Sequence, residues 1–329
     1  MNTDFEFAIL GAGAIGSIIA AHLARAGHQV ALLARGTRAE HVARHGLTLS
    51  GLADFTVPVT TLHEPQRLAA AAALIVATKT PGTRSALAAL RHAHFGVTLS
   101  IQNGPLKNEL LAEAFGADRV LGALADTSGE LLAGGEVLFT RNVGIYVGEL
   151  AGGDSARADG IAKALAAAGL RGAATGEITT LEWSKFCAWV GMTALAVTTR
   201  AFTWQYLADA TAALLLVRLV REVGAIARAR GIVLSDRAVL PAASLCNLPE
   251  SAAVDLVRRA GAEYRVTAPH HRMSALQDVL AGRALEVHET LGYADDEARR
   301  LRLDLPLLAS FRALLTVIDG LRGEPAASP

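Results

Sequence analysis

Hydrophobic residues in the first half of the chain fall into short apolar runs separated by longer amphipathic stretches. The runs FEFAIL, HQVALLAR, ALIVATK and GVTLSIQNG have the length and composition of buried strands. The stretches between them, such as AIGSIIAAHLARAG, repeat apolar residues at helical spacing. This alternation predicts βαβ units and therefore a parallel sheet with helices packed on it.

Other segments of the chain break this alternation. LTLSGLADFTVPVT predicts a short hairpin insertion, and the closely spaced runs VLGALADTSGE, GEVLFT and NVGIYVGE predict an antiparallel edge of the sheet. Beyond residue 176 strand signals almost stop, and helical patterns cover 178–207, 209–230, 251–264, 273–300 and 306–321. We therefore expect an α/β Rossmann-type dinucleotide-binding domain over 1–176, an all-α substrate and catalytic domain over 177–322, and a frayed tail over 323–329.

Composition narrows the class of protein. The formal net charge is zero, which argues against a nucleic-acid binder or a membrane-surface binder. Cys187 and Cys246 are too few for a disulfide framework, and the adjacent His270 and His271 lack a ligand spacing, so we expect no metal site. The start MNTDFEFAIL lacks the basic segment of a signal peptide, and no apolar run approaches the roughly 20 residues of a membrane helix. These features predict a cytoplasmic protein.

A glycine motif directly after the first strand predicts a dinucleotide site. Gly11 would allow a tight turn, Gly13 would let the backbone approach a diphosphate, and Gly16 would let helix and strand pack closely. The helix that begins at Ala14 and Ile15 would offer free N–H groups to the phosphates. The alternative is a glycine turn that binds nothing.

The end of the second strand indicates which dinucleotide would bind. An NAD site usually has an acidic residue there, but this strand ends in Ala34-Arg35, with Arg38 behind. A cation at this place would pair with the 2′-phosphate of NADP(H). The alternative is that both arginines are solvated loop charges.

Seven ordered motifs, spread over nearly the whole chain, add a family resemblance. The sequence resembles the ketopantoate reductase (2-dehydropantoate 2-reductase) family in GAGAIG at 11–16, LLARG at 32–36, ATKT at 77–80, QNGP at 102–105, YVGE at 146–149, EWSKF at 182–186 and RMSALQDVLAGRALEVHETLG at 272–292.

The resemblance implies NADPH-dependent reduction of the 2-keto group of ketopantoate, a small-molecule substrate, to pantoate, a step of coenzyme A biosynthesis. It implies that Lys185 is the general acid and that Glu286 holds the lysine and a substrate hydroxyl. It further assigns Ser274 to the substrate carboxylate, Asn103 to the nicotinamide and substrate, and Lys79 to the cofactor.

Each of these residues also has a plain structural alternative. Lys185 could lay its apolar stem on the protein and extend its amine to water. Glu286 could lie on a solvated helix face, Ser274 could be a helix N-cap, and Asn103 could belong only to a turn.

The chain departs from the family at three positions. The best-known members have asparagines that contact substrate four and eight residues after the catalytic lysine, where this chain has Trp189 and Thr193. At a third position, where the family has another asparagine, this chain has Leu291. The substrate therefore stays open between ketopantoate and another 2-keto acid that has a more apolar or aromatic tail stacked on Trp189. The alternative for Trp189 is plain core packing. A non-catalytic NADP-binding sensor is the alternative from another class. The apolar helices after residue 176 could bury a homodimer interface or only their own core.

Overall fold

The computed structural model describes residues 5–322. The chain divides into two compact units, and the boundary between them in the sequence lies between Thr179 and Thr180. The first unit is α/β and the second is helical, as predicted for the fold class. Within 5–322 no helix combines the length and the apolar character that crossing a membrane requires. The tail expected over 323–329 lies outside the described residues.

A ten-stranded sheet forms the framework of the first unit. Its strands run in the order β4-β3-β9-β8-β7-β6-β1-β2-β5, with β10 paired to β9. They are β1 (Phe5–Leu10), β2 (Val30–Leu33), β3 (Leu47–Gly51), β4 (Phe55–Val57), β5 (Thr60–Leu62), β6 (Ala70–Val76), β7 (His94–Ser100), β8 (Val120–Leu131), β9 (Val137–Gly148) and β10 (Gly172–Ala174).

Helices cover both faces of this sheet. They are α1 (Ala14–Arg25), α2 (Gly36–His45), α3 (Thr83–Ala88), α4 (Leu106–Phe115) and α5 (Ala156–Ala167). One core contains Ile18 of α1 and Leu165 of α5, and the other contains Leu87 of α3 and Leu111 of α4. Because the central strands are buried on both faces, they read as continuous apolar runs rather than as alternating ones.

The parallel strands end at one common edge. Leu10 at the end of β1 is in register with Leu33 of β2 and with Val76 of β6, which is in register with Ser100 of β7. The segments that follow these strands therefore lie side by side. Ligands of open α/β sheets bind at such carboxyl-terminal strand ends.

The strands β8 and β9 are antiparallel, as predicted, but their expected position at an edge of the sheet is wrong. β8 pairs with β7 and β9 pairs with β3, so the short β3–β4 hairpin forms that edge. GEVLFT and NVGIYVGE join in one strand, because register shifts at Asp126/Thr127 and Ser128/Gly129 of β8 absorb the irregularity between them.

The second unit is built of eight α-helices and one π-helical turn within the described residues. The turn, His288–Gly292, directly precedes α12. The helices are α6 (Ile178–Thr199), α7 (Thr203–Ala208), α8 (Ala210–Ala229), α9 (Ala242–Asn247), α10 (Glu250–Thr267), α11 (Ser274–Leu280), α12 (Tyr293–Arg300) and α13 (Pro306–Gly320).

Two helices predicted as continuous are interrupted. The pattern over 178–207 breaks because Arg200 adopts φ +54°, and the hydroxyls of Thr198 and Thr199 bond back to carbonyls of the preceding turn. The pattern over 273–300 breaks after Ala281, where Gly282 adopts φ +65°, a conformation typical of a helix C-terminus.

Candidate active site

The glycine motif has the geometry that a dinucleotide diphosphate requires. Gly11 adopts φ +111°, and a Cβ on Gly16 would overlap the Gly11 carbonyl oxygen. Gly13 is exposed, and a Cβ built there would meet nothing within 4 Å, so the space in front of the loop is open to a ligand. The N–H groups of Ala14 and Ile15 open α1 and have no acceptor within the helix. These residues fit the phosphates of a dinucleotide.

The hydrogen bonds of Arg38 contradict its interpretation as a solvated loop charge. Its Nε donates to the Ala12 carbonyl (3.0 Å), its Nη2 to the Ser17 hydroxyl (3.0 Å) and its Nη1 to the Gly135 carbonyl (2.6 Å). Burial lowers the pKa of this half-buried guanidinium. Arg38 is thus not a solvated loop charge, since three of its N–H groups bind protein oxygens, whereas Arg35 is exposed at the end of β2.

Gln102 joins two neighbouring strand-end turns. Its amide nitrogen donates to the Thr78 carbonyl at 2.9 Å and to the Thr83 hydroxyl at 2.7 Å. The turn that carries the half-buried Asn103 is therefore tied to the turn that carries the exposed Lys79. Sequence reasoning used only the asparagine of QNGP and missed this buried glutamine, although a polar side chain at the end of a buried strand was a usable signal.

Lys107 holds the same turn from its other side. It is 4% exposed, and its ammonium donates to the Gln102 carbonyl at 3.0 Å and to the Ala123 carbonyl of β8. A lysine in the first turn of a helix looks like a surface residue in the sequence, and only β8 packed across α4 makes it structural. The strand-end turns are thus fixed before any ligand is present.

In the second unit, aromatic packing fixes the helix that carries Lys185. The Trp183 and Phe186 rings meet edge to face at 5.8 Å, and Phe186 meets Tyr293 at 6.2 Å. The Arg230 guanidinium lies 5.3 Å from the Trp183 ring and donates to the Tyr293 hydroxyl at 2.8 Å. Lys185 is half-buried and lies between Trp183 and Phe186 in the helix, so its backbone has a defined position.

A small, partly open cavity lies further along the same helix. Trp189 and Thr193 line it from α6, one and two turns beyond Lys185. Glu286 and Leu291 line it from the segment before α12. The rest of the wall is mostly apolar and consists of Ala275, Asp278, Leu285, Val287, Thr290 and Leu315. The structure thus brings together four positions that the sequence singled out.

The polar groups of this wall differ in how they are satisfied. Asp278 accepts a hydrogen bond from Arg283 at 2.8 Å. Thr193 is 3% exposed, and its hydroxyl has no hydrogen-bond partner among residues 5–322. A buried hydroxyl without a partner is destabilising on its own, and a polar group of a ligand would satisfy it.

Glu286 does not lie on a helix face, so the prediction of a helical pattern around it is wrong. It follows an irregular stretch after α11, and its carbonyl accepts a hydrogen bond from the Thr290 hydroxyl. The Gly292 amide donates to the Val287 carbonyl at 2.8 Å, which closes a π-helical turn of a kind often found at functional sites. Burial raises the pKa of Glu289 in this turn, and the charge of Glu286 adds to the rise.

Ser274 is the exposed first residue of α11, and the N-cap position belongs to Met273, so the N-cap alternative is wrong. The next residue, Ala275, lines the cavity. His271 bonds the Thr203 hydroxyl at 2.8 Å, and His270 packs against a phenylalanine. Over residues 5–322, no three His, Cys, Asp or Glu side chains come together in a way that could hold a metal ion.

Comparison with known protein families matches both units. The family model described as ketopantoate reductase PanE/ApbA matches residues 7–152, and the model of its C-terminal part matches residues 177–319. Together they cover most of the chain.

Individual relatives agree with this match. A 2-dehydropantoate 2-reductase of Archaeoglobus fulgidus is 33% identical over 177 residues, 54% of this chain, and the alignment spans 58% of that protein's length. One from Nostoc sp. is 25% identical over 96% of this chain and 95% of its own length. The crystal structure of the 2-dehydropantoate 2-reductase from Methylococcus capsulatus is 26% identical, with a TM-score of 0.77 over 97% of this chain and 98% of its own.

Proposed function

Because the chain belongs to the ketopantoate reductase PanE/ApbA family, a family of oxidoreductases, we propose that it reduces 2-dehydropantoate to pantoate with NADPH. The observation that carries the proposal is the cavity of the second unit. Glu286 lines this cavity together with Trp189 and Thr193. The latter two lie on α6, the helix that also carries Lys185.

The strand edge of the first unit would hold the cofactor. The open backbone of Gly13 and the first N–H groups of α1, at Ala14 and Ile15, would bind the diphosphate. Arg35 would pair with the 2′-phosphate, which makes the site selective for NADPH over NADH. Lys79 and Asn103, on turns joined by Gln102, would extend the site along this edge. When bound, NADPH supplies the hydride that reduces the 2-keto carbon.

Lys185 would donate the proton that the reduction requires. Negative charge develops on the carbonyl oxygen as the carbon is reduced, and a nearby acid neutralises this charge by transferring a proton to the oxygen. A half-buried lysine can carry out this transfer, because its ammonium is a proton donor. Glu286 would hold the ammonium in position and Ser274 would contact the substrate carboxylate.

The lining of the cavity favours a second candidate substrate. Family members with asparagines offer several hydrogen bonds at positions where this chain has Trp189 and Leu291. Most of the wall is apolar, and Thr193 is the residue whose hydroxyl is left to pair with a substrate tail. A 2-keto acid with a branched or aromatic tail and fewer hydroxyls would bury more apolar surface there.

The deciding experiment follows NADPH oxidation by absorbance with two matched acids. Ketopantoate and 3,3-dimethyl-2-oxobutanoate share one carbon skeleton and differ only in the terminal hydroxyl. Preference for ketopantoate supports the first proposal, and preference for the second acid or for aryl 2-keto acids supports the alternative. NADPH binding without turnover of any 2-keto acid would contradict both and favour a sensor.

A further inference from the structure

Arg38 is a cation at the cofactor edge whose interactions all lie within the first unit. Its three donor nitrogens reach the Ala12 carbonyl, the Ser17 hydroxyl and the Gly135 carbonyl. Two of these acceptors belong to the glycine loop and to the first turn of α1, and the third belongs to the turn between β8 and β9. Arg38 thus links segments that the sequence separates widely.

The contact with Ala12 determines where the loop can donate. Ser17 also donates to the Ala12 carbonyl, at 3.1 Å, so this oxygen is held by two donors on one side of the loop. In a trans peptide the C=O and the following N–H point in opposite directions. Holding the Ala12 oxygen on this side therefore directs the Gly13 N–H away from Ser17 and Arg38, and the residue that carries it has open space beside it.

The contact with Gly135 gives the anchor a rigid base. Gly135 lies in a tight turn that is closed by hydrogen bonds between Leu132 and Glu136 (2.9 Å) and between Gly135 and Leu132 (2.9 Å). This turn joins two long paired strands, β8 and β9, so its position is set by their pairing. Arg38 ties this turn to the glycine loop, whose glycines have wide conformational freedom.

We propose that Arg38 is a positioning residue for cofactor binding, which holds the Ala12–Gly13 peptide in the orientation that receives the diphosphate. This inference rests on the proposed function, since it requires that the glycine loop binds NADPH. It separates two arginines that look alike in the sequence: Arg35 would read the 2′-phosphate, and Arg38 would act on the diphosphate shared by NADPH and NADH.

Calorimetric titration of the full-length protein with NADPH and with NADH, without substrate, tests the inference. Arg38→Met should weaken both cofactors by a similar factor of about ten, because both carry the diphosphate. Arg35→Ala is the matched control and should weaken NADPH at least tenfold while it changes NADH less than twofold. If Arg38→Met weakens NADPH alone, Arg38 is a 2′-phosphate ligand and the inference is overturned.

Two further measurements distinguish positioning from a general loss of folding. Ser17→Ala removes the second donor to the Ala12 carbonyl without removing a charge, and it should weaken both cofactors equally but less than Arg38→Met. Amide exchange at residues 13–15 of the free protein should accelerate in Arg38→Met, while exchange in β1 and β6 stays unchanged. Uniform acceleration through the sheet, or unchanged affinity for both cofactors, would contradict the inference. Wild-type protein that binds neither cofactor would instead refute the proposed function.

Discussion

Main-chain groups form the strand edge of the first unit, whereas side chains form the cavity of the second. At the strand edge, Gly13 offers backbone in open space, and Gln102 and Arg38 are held by contacts inside the protein. In the cavity, Trp189 and Leu291 form walls, and Thr193 keeps a hydroxyl without a partner among residues 5–322. The first arrangement suits a dinucleotide, whose phosphates bind main-chain N–H groups, and the second lets individual side chains select the substrate.

The strongest test of this contrast is to remove the proposed acid from the second unit. Lys185→Met keeps the length and apolar stem of the side chain but cannot donate a proton, so turnover should fall by about 10²–10⁴-fold. The affinity for NADPH should stay within a factor of two, because all the groups proposed to bind it belong to the first unit. Both quantities are measured, by NADPH oxidation under saturating substrate and by calorimetry.

The exposed Lys163 of α5 provides the control, and Lys163→Met should leave both quantities unchanged. Lys185→Arg should fail nearly as badly as the methionine variant, because a guanidinium keeps its charge but does not give up its proton near neutral pH. Full turnover in Lys185→Met would contradict the proposal that Lys185 is the acid, and α6 would then have no proposed chemical role.

A pair of glycine substitutions tests the main-chain side of the contrast. A Cβ at Gly16 would overlap the Gly11 carbonyl, so Gly16→Ala should lower the free energy of unfolding by about 1–3 kcal/mol through overpacking. A Cβ at Gly13 meets nothing within 4 Å, so Gly13→Ala should leave the melting temperature unchanged and weaken NADPH about tenfold by obstructing the diphosphate.

Thermal unfolding and cofactor titration of the two variants form the measurement. Equal stability in both variants would show that the helix does not pack closely at Gly16. Unchanged affinity in Gly13→Ala would show that the open face of the loop is not the phosphate site. It would contradict the proposal that the diphosphate binds at the glycine loop.

The same contrast explains how much could be predicted from the sequence. The strands and the glycine loop follow from local periodicity and from the conformational freedom of glycine, both of which are written in a few consecutive residues. The contact between Arg38 and Gly135 joins residues 97 positions apart, and no local pattern reports it. Glu286 was expected on a helix because the apolar residues around it recur at helical spacing, but residues 283–286 are irregular and only the π-helical turn His288–Gly292 follows them. Family motifs located the cavity residues, but the unpartnered hydroxyl of Thr193 depends on what other segments place opposite it.

Thr193 allows a prediction in which stability and function change in opposite directions. Thr193→Val keeps the shape and removes the buried hydroxyl, so the free protein should gain about 1 kcal/mol of stability. If the hydroxyl pairs with the tail of ketopantoate, kcat/KM for that acid should fall by about 3–10-fold. The value for 3,3-dimethyl-2-oxobutanoate should not fall, because that acid has no terminal hydroxyl.

Thr193→Ser retains the hydroxyl and serves as the control, with a selectivity between the two acids close to that of the wild type. Equal losses for both acids in Thr193→Val would mean that Thr193 acts only through packing. The substrate tail would then have to find its hydrogen bond elsewhere in the wall.

The smallest expected effect concerns a second buried polar atom, which lies in the first unit. His22 donates through Nδ1 to the Ala168 carbonyl at 2.8 Å, and its Nε2, buried beside Phe55 and Phe139, has no partner within residues 5–322. Burial lowers the pKa of His22 below its ordinary value of 6.5, so the folded state favours the neutral ring. The unfolded chain binds the proton more readily, and the stability that His22 contributes is present above about pH 6.5 and lost as the pH falls below it.

His22→Gln should therefore flatten the fall of the melting temperature between pH 7 and pH 5, with little change in NADPH affinity at pH 7.5. A pH dependence as steep as that of the wild type would assign the acid sensitivity to other groups. A loss of cofactor affinity would show that the aromatic residues around His22 support the glycine loop. A buried polar atom of the first unit would then affect ligand binding, as Thr193 is expected to do in the second.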